Sequence, residues 1–288
     1  MYTAKIQNAS GEILTLNDKE SKWVVLSIDG LHPAPATVNM TRIAGVDGSF
    51  YNGRRIENKN IVVMLQLAGD VEANRMELYR FFRVGDECRF FYKTERRDVF
   101  IDGIIESFDG GFFTNAETFQ ISIICPSAFF SGTEEKNVEL GNVQALFEFP
   151  FAINRNEPVP FSIVEEGRTS VIDLEGDADA GFVLRIRFPE TGSHSFKVVN
   201  ATTGEFIADP LSIYAAGDEV LIDTRSGSKK FVIIRDGEEL SGFLELESGS
   251  TLFQLHPGEN RIEYAIDNEV NSSAGVVTLA YRDQFKGV

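Results

Sequence analysis

Reactive side chains are few in this 288-residue chain, and their spacing is poor for catalysis. Its three histidines, His32, His194 and His256, are dispersed over turn-like stretches, none with a second ligand at metal-binding spacing. The two cysteines, Cys88 and Cys125, fall in strand-like runs among aromatic and aliphatic residues, where buried thiols are expected rather than a disulfide. No Gly-x-Ser-x-Gly elbow and no cysteine beside a histidine suggests a nucleophile with its base. Acid pairs are plentiful: Glu165-Glu166, Glu238-Glu239, Asp177 with Asp179. Glycoside hydrolysis needs two facing carboxylates, and Asp177 with Asp179 could hold Ca²⁺ alongside backbone oxygens. Adjacent acids in turns are better explained as solvated surface charge. The expectation is therefore no catalytic residue, no metal and no cofactor.

One stretch does invite contact. Gly45-Val46-Asp47-Gly48-Ser49-Phe50-Tyr51-Asn52-Gly53-Arg54-Arg55-Ile56 combines permissive backbone, two aromatics and two arginines. Gly48 and Gly53 have the separation of a phosphate loop, but Arg54-Arg55 stands where Lys-Ser/Thr is required. A strand-like run, Ile61–Leu67, follows in place of a helix. A nucleotide site is rejected, and a loop or hairpin arm joining two strands is expected. A second exposed turn, Thr94-Glu95-Arg96-Arg97-Asp98, presents another arginine pair. Phe50, Tyr51, Arg54, Arg55, Arg96 and Arg97 are the residues expected to meet another copy or a partner, because Arg and aromatics concentrate at interface hot spots.

Around these residues the chain reads as mainly β. Strands are expected at Tyr2–Leu16 (with a turn at Asn8–Gly11), Trp23–Gly30, Ile61–Leu67, Glu87–Tyr92, Val99–Ser107 and Thr118–Cys125. A single helix starts at Asp70, uses Met76, Leu78, Tyr79 and Phe82 as apolar positions, and stops at Gly85. Residues 1–130 are thus a β-barrel or sandwich with one helix. Residues 131–155 change character and are expected to connect two domains. Residues 156–288 carry short strands divided by turn signals, including Asp236-Gly237, as in a jelly-roll-like sandwich. Tyr214 and Tyr264 are the aromatic residues such a sandwich could offer to a glycan.

A net charge of −17 argues against nucleic-acid wrapping or docking on anionic lipid. Met1–Gln7 has no apolar signal region, and no apolar run approaches the roughly 20 residues that span a bilayer. A protein made and folded in the cytosol is expected.

The order of these elements resembles the distal tail protein (Dit) family of long-tailed bacteriophages. The resemblance runs through Asp47–Ile56, Ile61–Leu67, Leu78–Phe82, Val99–Ile105 and Phe119–Phe130 in the first domain. In the second it runs through Glu219–Thr224, Ile234–Gly237 and Thr251–Ile262, the last closing on a Pro-Gly-x-Asn corner at Pro257–Asn260. It implies a galectin-like C-terminal sandwich and a non-enzymatic virion subunit assembled in the host cytoplasm. It further implies a homohexameric ring around a channel for DNA, joining the tail tube protein to the tail-tip protein associated with the lysin. Outward-facing C-terminal domains in that family can hold receptor-binding proteins. The chain has no room for the inserted carbohydrate-binding module of longer members, so host recognition by the protein itself is not implied. A carbohydrate-binding surface protein acting through the C-terminal sandwich stays open as the alternative.

Overall fold

A computed structural model describes residues 2–17, 22–111, 117–140, 143–145, 162–164, 168–188, 193–268 and 276–288. The described chain is mainly β with one α-helix, as expected. It forms two compact units, Met1–Thr133 with Gln284–Val288, and Glu134–Asp283. The second is therefore inserted into the first, whose last five residues come from the end of the sequence.

The first unit is built from β1 (Thr3–Asn8), β2 (Ile13–Thr15), β3 (Trp23–Asp29), β4 (Ala36–Thr41), β5 (Phe50–Ile56), β6 (Lys59–Leu67), α1 (Val71–Phe81), β7 (Glu87–Lys93), β8 (Asp98–Gly110), β9 (Thr118–Cys125) and β10 (Phe130–Gly132). Seven strands pair antiparallel in the order β2-β1-β7-β8-β9-β6-β3, and β10 joins along β8. Strict alternation builds the core: along β6, Ile61, Val63, Leu65 and Leu67 are buried while Asn60 is exposed. Facing residues of β8 and β9 do the same, and all belong to one apolar cluster. Gly103 of β8 has no alternative in this packing, since a Cβ there would lie 2.5 Å from Ile123 Cγ2 and 2.9 Å from the Ile124 carbonyl.

Asp70 caps α1, its carboxylate accepting from Ala73 N at 3.1 Å. The helix ends at Phe81, before the expected stop at Gly85, and its inward stripe is Asn74, Leu78 and Phe82. Met76 and Tyr79, expected on that stripe, are 46% and 39% exposed. Asn74 is tolerated inside because its amide donates to the Ala68 carbonyl at 2.7 Å.

The second unit contains β11 (Lys136–Leu140), β12 (Val143–Ala145), β13 (Ser162–Val164), β14 (Arg168–Leu174), β15 (Phe182–Arg187), β16 (Ser193–Asn200), β17 (Glu205–Tyr214), β18 (Glu219–Asp223), β19 (Lys230–Arg235), β20 (Glu238–Ser241), a 3₁₀ turn at Phe243–Glu245, β21 (Gly258–Asn268) and β22 (Val276–Tyr281). Sheets of order β11-β22-β15-β18-β19-β20 and β14-β21-β16-β17 bury a shared core, making a β-sandwich. β12 and β13 pair with each other. Of the stretch expected to connect two domains, β10 lies in the first unit and β11 in the second unit's larger sheet. Residues 141–142 and 146–161 lie outside the described residues, as do Glu165 and Glu166.

The final strand, β23 (Gln284–Phe285), pairs with β10 and seats the tail in the first unit. Buried Lys59 donates to the carbonyls of His32 and, at 3.3 Å, of Lys286. Burial lowers the pKa of this ammonium, partly offset by the nearby Cys125 thiol. Arg97 donates to the Gly287 carbonyl at 3.0 Å and stacks over the Phe285 ring at 4.4 Å.

Candidate functional site

β4 and β5 form a ribbon that pairs with no other described strand. The expected arm is thus a β-hairpin. Its register carries its chemistry. Ala36 faces Ile56, Thr37 faces Arg55, Val38 faces Arg54 and Asn39 faces Gly53, but Met40 then faces Tyr51. Asn52 is the extra residue of a bulge, and the Gly53 φ of 133° supplies the backbone it needs. Because directly paired residues share a face, the slip gathers Val38, Met40, Tyr51, Arg54 and Ile56 on one side. Thr37, Asn39, Thr41, Phe50 and Arg55 take the other. The ribbon is amphipathic, with one apolar face holding one guanidinium.

That apolar face is covered by nothing described. Tyr51 and Met40 are each 62% exposed, Val38 46% and Ile56 38%; Ile43 and Val46 in the connecting turn are half exposed or more, as is Phe50 on the other face. The polar face is satisfied locally. The Asn52 amide donates to Thr41 Oγ1, Arg55 Nη2 meets Glu57 Oε2 at 3.1 Å, and Glu57 N donates to the Pro35 carbonyl at 2.9 Å. A hydrogen bond from Thr37 holds the Glu57 carboxyl below the usual range; desolvation opposes it, and the charge and hydrogen bond of Arg55 add to the lowering. A two-stranded ribbon is marginal alone in water, so burial of its apolar face against something else is the expected source of further stability.

The six contact residues expected from sequence separate in space. Tyr51 and Arg54 share the apolar face, while Phe50 and Arg55 lie opposite. Arg96 sits exposed in the β7–β8 turn, which Thr94 Oγ1 closes by accepting from Arg96 N and Arg97 N at 3.3 and 3.1 Å. It borders an open cleft of about 430 Å³ with Tyr2, Thr94 and Glu95. Arg97 is half-buried and committed to the chain's own tail.

Tyr214 and Tyr264 offer no ring face to a sugar. Tyr214 is fully buried, stacked on Phe188 with ring centres 4.1 Å apart, and Tyr264 is 7% exposed. Burial, and then the Asp209 carboxylate accepting its hydroxyl at 2.6 Å, push the Tyr214 phenol pKa upward. Sequence could not separate these two from exposed strand tyrosines because both residue positions alternate correctly for either face.

The remaining candidates for chemistry are bound into structure. Cys88 and Cys125 are free and buried, and burial pushes both thiols up to about 12. His256 Nδ1 lies 2.8 Å from Asp179 Oδ1 on the surface. Among the described residues no group of three His, Cys, Asp or Glu side chains could hold a metal ion. An open cleft of about 620 Å³ carries Glu87 and Asp102, both exposed, with Asp102 bound by both donor arms of Arg89 at 2.6 and 3.0 Å.

The Pro-Gly-x-Asn corner, by contrast, is a solved piece of local chemistry. The fully buried Asn260 amide donates to the carbonyls of His256 and Gly258, while its oxygen accepts from His256 N and from Asn200 Nδ2.

Residues 175–285 match the family model of the siphovirus-type tail component, C-terminal domain. No curated protein matches the chain. Among solved structures, the Dit protein of phage SPP1, described as a paradigm of the hub adsorption apparatus in phages infecting Gram-positive hosts, is 13% identical. The alignment covers 99% of each chain at a TM-score of 0.67. A chain of the phage P2 baseplate in its activated conformation with Ca is also 13% identical, covering 100% of each chain at a TM-score of 0.53. At this identity the likeness is one of fold, and it extends over both units.

Proposed function

We propose that the chain, whose residues 175–285 match the siphovirus-type tail component, C-terminal domain, is a ring-forming hub of a phage tail tip or baseplate. Its role is structural. In this reading copies of the chain close a homohexameric ring that joins the tail tube protein to the tail-tip protein and leaves a channel for DNA. It acts in the virion after assembly in the host cytoplasm, without catalysis. Its second unit is free to hold a receptor-binding protein.

The single observation that carries the reading is the β4–β5 ribbon, whose apolar face has Met40 and Tyr51 both 62% exposed. A cyclic ring joins two different patches of each subunit, and a projecting amphipathic arm is one such patch. Tyr51 and Arg54, side by side on that face, are the types that dominate interface energetics. Phe50 and Arg55 on the opposite face, and Arg96 in the β7–β8 turn, are the secondary contacts of this reading. A net charge of −17 suits a conduit through which DNA slides without sticking.

Native mass spectrometry across a concentration series tests this. Closed oligomers are expected, and Tyr51→Asp with Arg54→Glu should return the chain to monomer. A wild-type chain that stays monomeric at the highest concentration, alone and with tail tube protein added, overturns the ring.

A further inference from the structure

Asn52 is the one asparagine of the chain that is followed by glycine. That pairing has a chemistry of its own. The main-chain nitrogen of the next residue can attack the asparagine side chain at Cγ, and only glycine leaves the approach free of a Cβ. Asn200 and Asn260, by contrast, are fully buried, hydrogen-bonded to each other and followed by Ala201 and Arg261.

The fold leaves Asn52 open to this reaction. It is exposed, and as the extra residue of the β5 bulge it faces no partner in β4. A Cβ built on Gly53 would meet nothing within 4 Å, so no neighbouring group crowds the attacking nitrogen. The ribbon pairs with no other described strand, and a two-stranded ribbon opens locally at small cost. Arg54 and Arg55 follow directly, and positive charge nearby favours the main-chain amide anion that makes the attack. One contact restrains the side chain: its amide donates to Thr41 Oγ1 across the ribbon.

Asn39 is a built-in control. It is exposed on the same ribbon, but it is paired in register with Gly53 and is followed by Met40.

We propose that Asn52 is a self-modification site, converting without an enzyme to aspartate and isoaspartate in chains whose ribbon is uncovered. The Gly53 nitrogen gives its proton to hydroxide and bonds to Asn52 Cγ. The Cγ–Nδ2 bond breaks, and ammonia leaves with a proton drawn from water. The five-membered succinimide so formed then takes up one water. Opening at Cγ gives aspartate; opening at the main-chain carbonyl carbon gives isoaspartate, with the chain rerouted through the former side chain. No oxidant or reductant takes part. Either product adds a carboxylate beside Arg54 and Arg55. Isoaspartate also lengthens the backbone by one carbon, at the bulge that sets Tyr51 and Arg54 on a common face. The ribbon thereby carries a clock that ages free chains. The clock, unlike the site, rests on the ribbon being an assembly arm that is covered once chains associate.

The test ages the full-length chain in mildly alkaline buffer and maps the ribbon peptides by mass spectrometry. Electron-transfer fragmentation separates isoaspartate from aspartate. Conversion at Asn52 is expected to outrun that at Asn39 by about tenfold or more, because Asn39 lacks the glycine neighbour. Asn52→Gln, one carbon too long for the five-membered ring, should gain no negative charge on anion exchange while wild type does. Where closed oligomers form, separation by size before mapping should find conversion slowed in the oligomer. Conversion at position 52 that is absent from the monomer, or no faster than at position 39, overturns the site and leaves the arm untouched. Equal conversion in monomer and oligomer overturns the clock. A wild type that never associates sinks the arm and the clock with it, and the monomer alone still decides the site.

Discussion

Tyr214 and Asp209 are locked to each other in the core: the phenol donates to the carboxylate at 2.6 Å, and both residues are fully buried. Removing the hydroxyl leaves a buried acceptor short of a donor, which costs about 1–3 kcal/mol. Tyr214→Phe should lower stability by that amount in chemical denaturation, although it keeps every apolar contact with Phe188. An unchanged midpoint would mean that water replaces the phenol.

The corner at Asn260 should be less forgiving. Its side chain serves two carbonyls, one amide N–H and Asn200 at once. Asn260→Ala is expected to destabilise the second unit by about 2–4 kcal/mol, several buried hydrogen bonds being lost together. Asn260→Asp keeps the acceptor and loses the donors, so it should also be harmful. Thermal melts of the two variants decide this.

Alkaline pH should weaken the first unit through its thiols. Cys88 and Cys125 have folded pKa values raised from 9.0 to about 12. A raised folded value means the native state keeps protons that the unfolded state has released. Their contribution is therefore complete below pH 9 and declines as pH climbs toward 12, at about 1.4 kcal/mol per pH unit for each thiol. Lys59, with a lowered folded value, works in the opposite direction just below 10.5. Denaturation of the Cys88→Ala, Cys125→Ala variant across pH 8–11 should show a flatter dependence than wild type.

Arg97→Ala should loosen the tail from the first unit. The change leaves the Gly287 carbonyl without its donor and uncovers the Phe285 ring, together worth about 1–2 kcal/mol. Hydrogen exchange at Gln284–Val288 and along β10 should accelerate, with the second unit's core unaffected. Protection that stays at the wild-type level would show that Lys59 and β23 pairing suffice.

Much of the fold was legible because alternation is a local signal. Ile61, Val63 and Leu65 announce an inward face without help from the rest of the chain, as do Phe119, Ile121 and Ile123. The helix is readable from Asp70 and Leu78, but Met76 and Tyr79, expected on its inward stripe, are exposed, and Asn74 stands inside because its amide finds the Ala68 carbonyl. The arm was legible as an arm from its glycines, aromatics and arginines. Its facing was not. One residue of slip at Asn52 decides that Tyr51 joins Val38 and that Phe50 does not, and no composition or spacing encodes the register of a bulge. The exposure of Leu211 and Leu240 escaped notice for a related reason. Leu211 and Leu240 look like ordinary core leucines until the topology sets β17 and β20 at the borders of two sheets.

The chain leaves the first unit after Thr133 and re-enters it at Gln284, and Ser131 and Gln284 are paired neighbours. A load applied to the second unit therefore arrives through two covalent tethers rather than one. Each ends in a strand of the same sheet, and the returning tether is gripped by Lys59 and Arg97 through its main-chain oxygens. Tension is divided before it reaches any single strand, which is the arrangement wanted in a mounting that must survive being tugged.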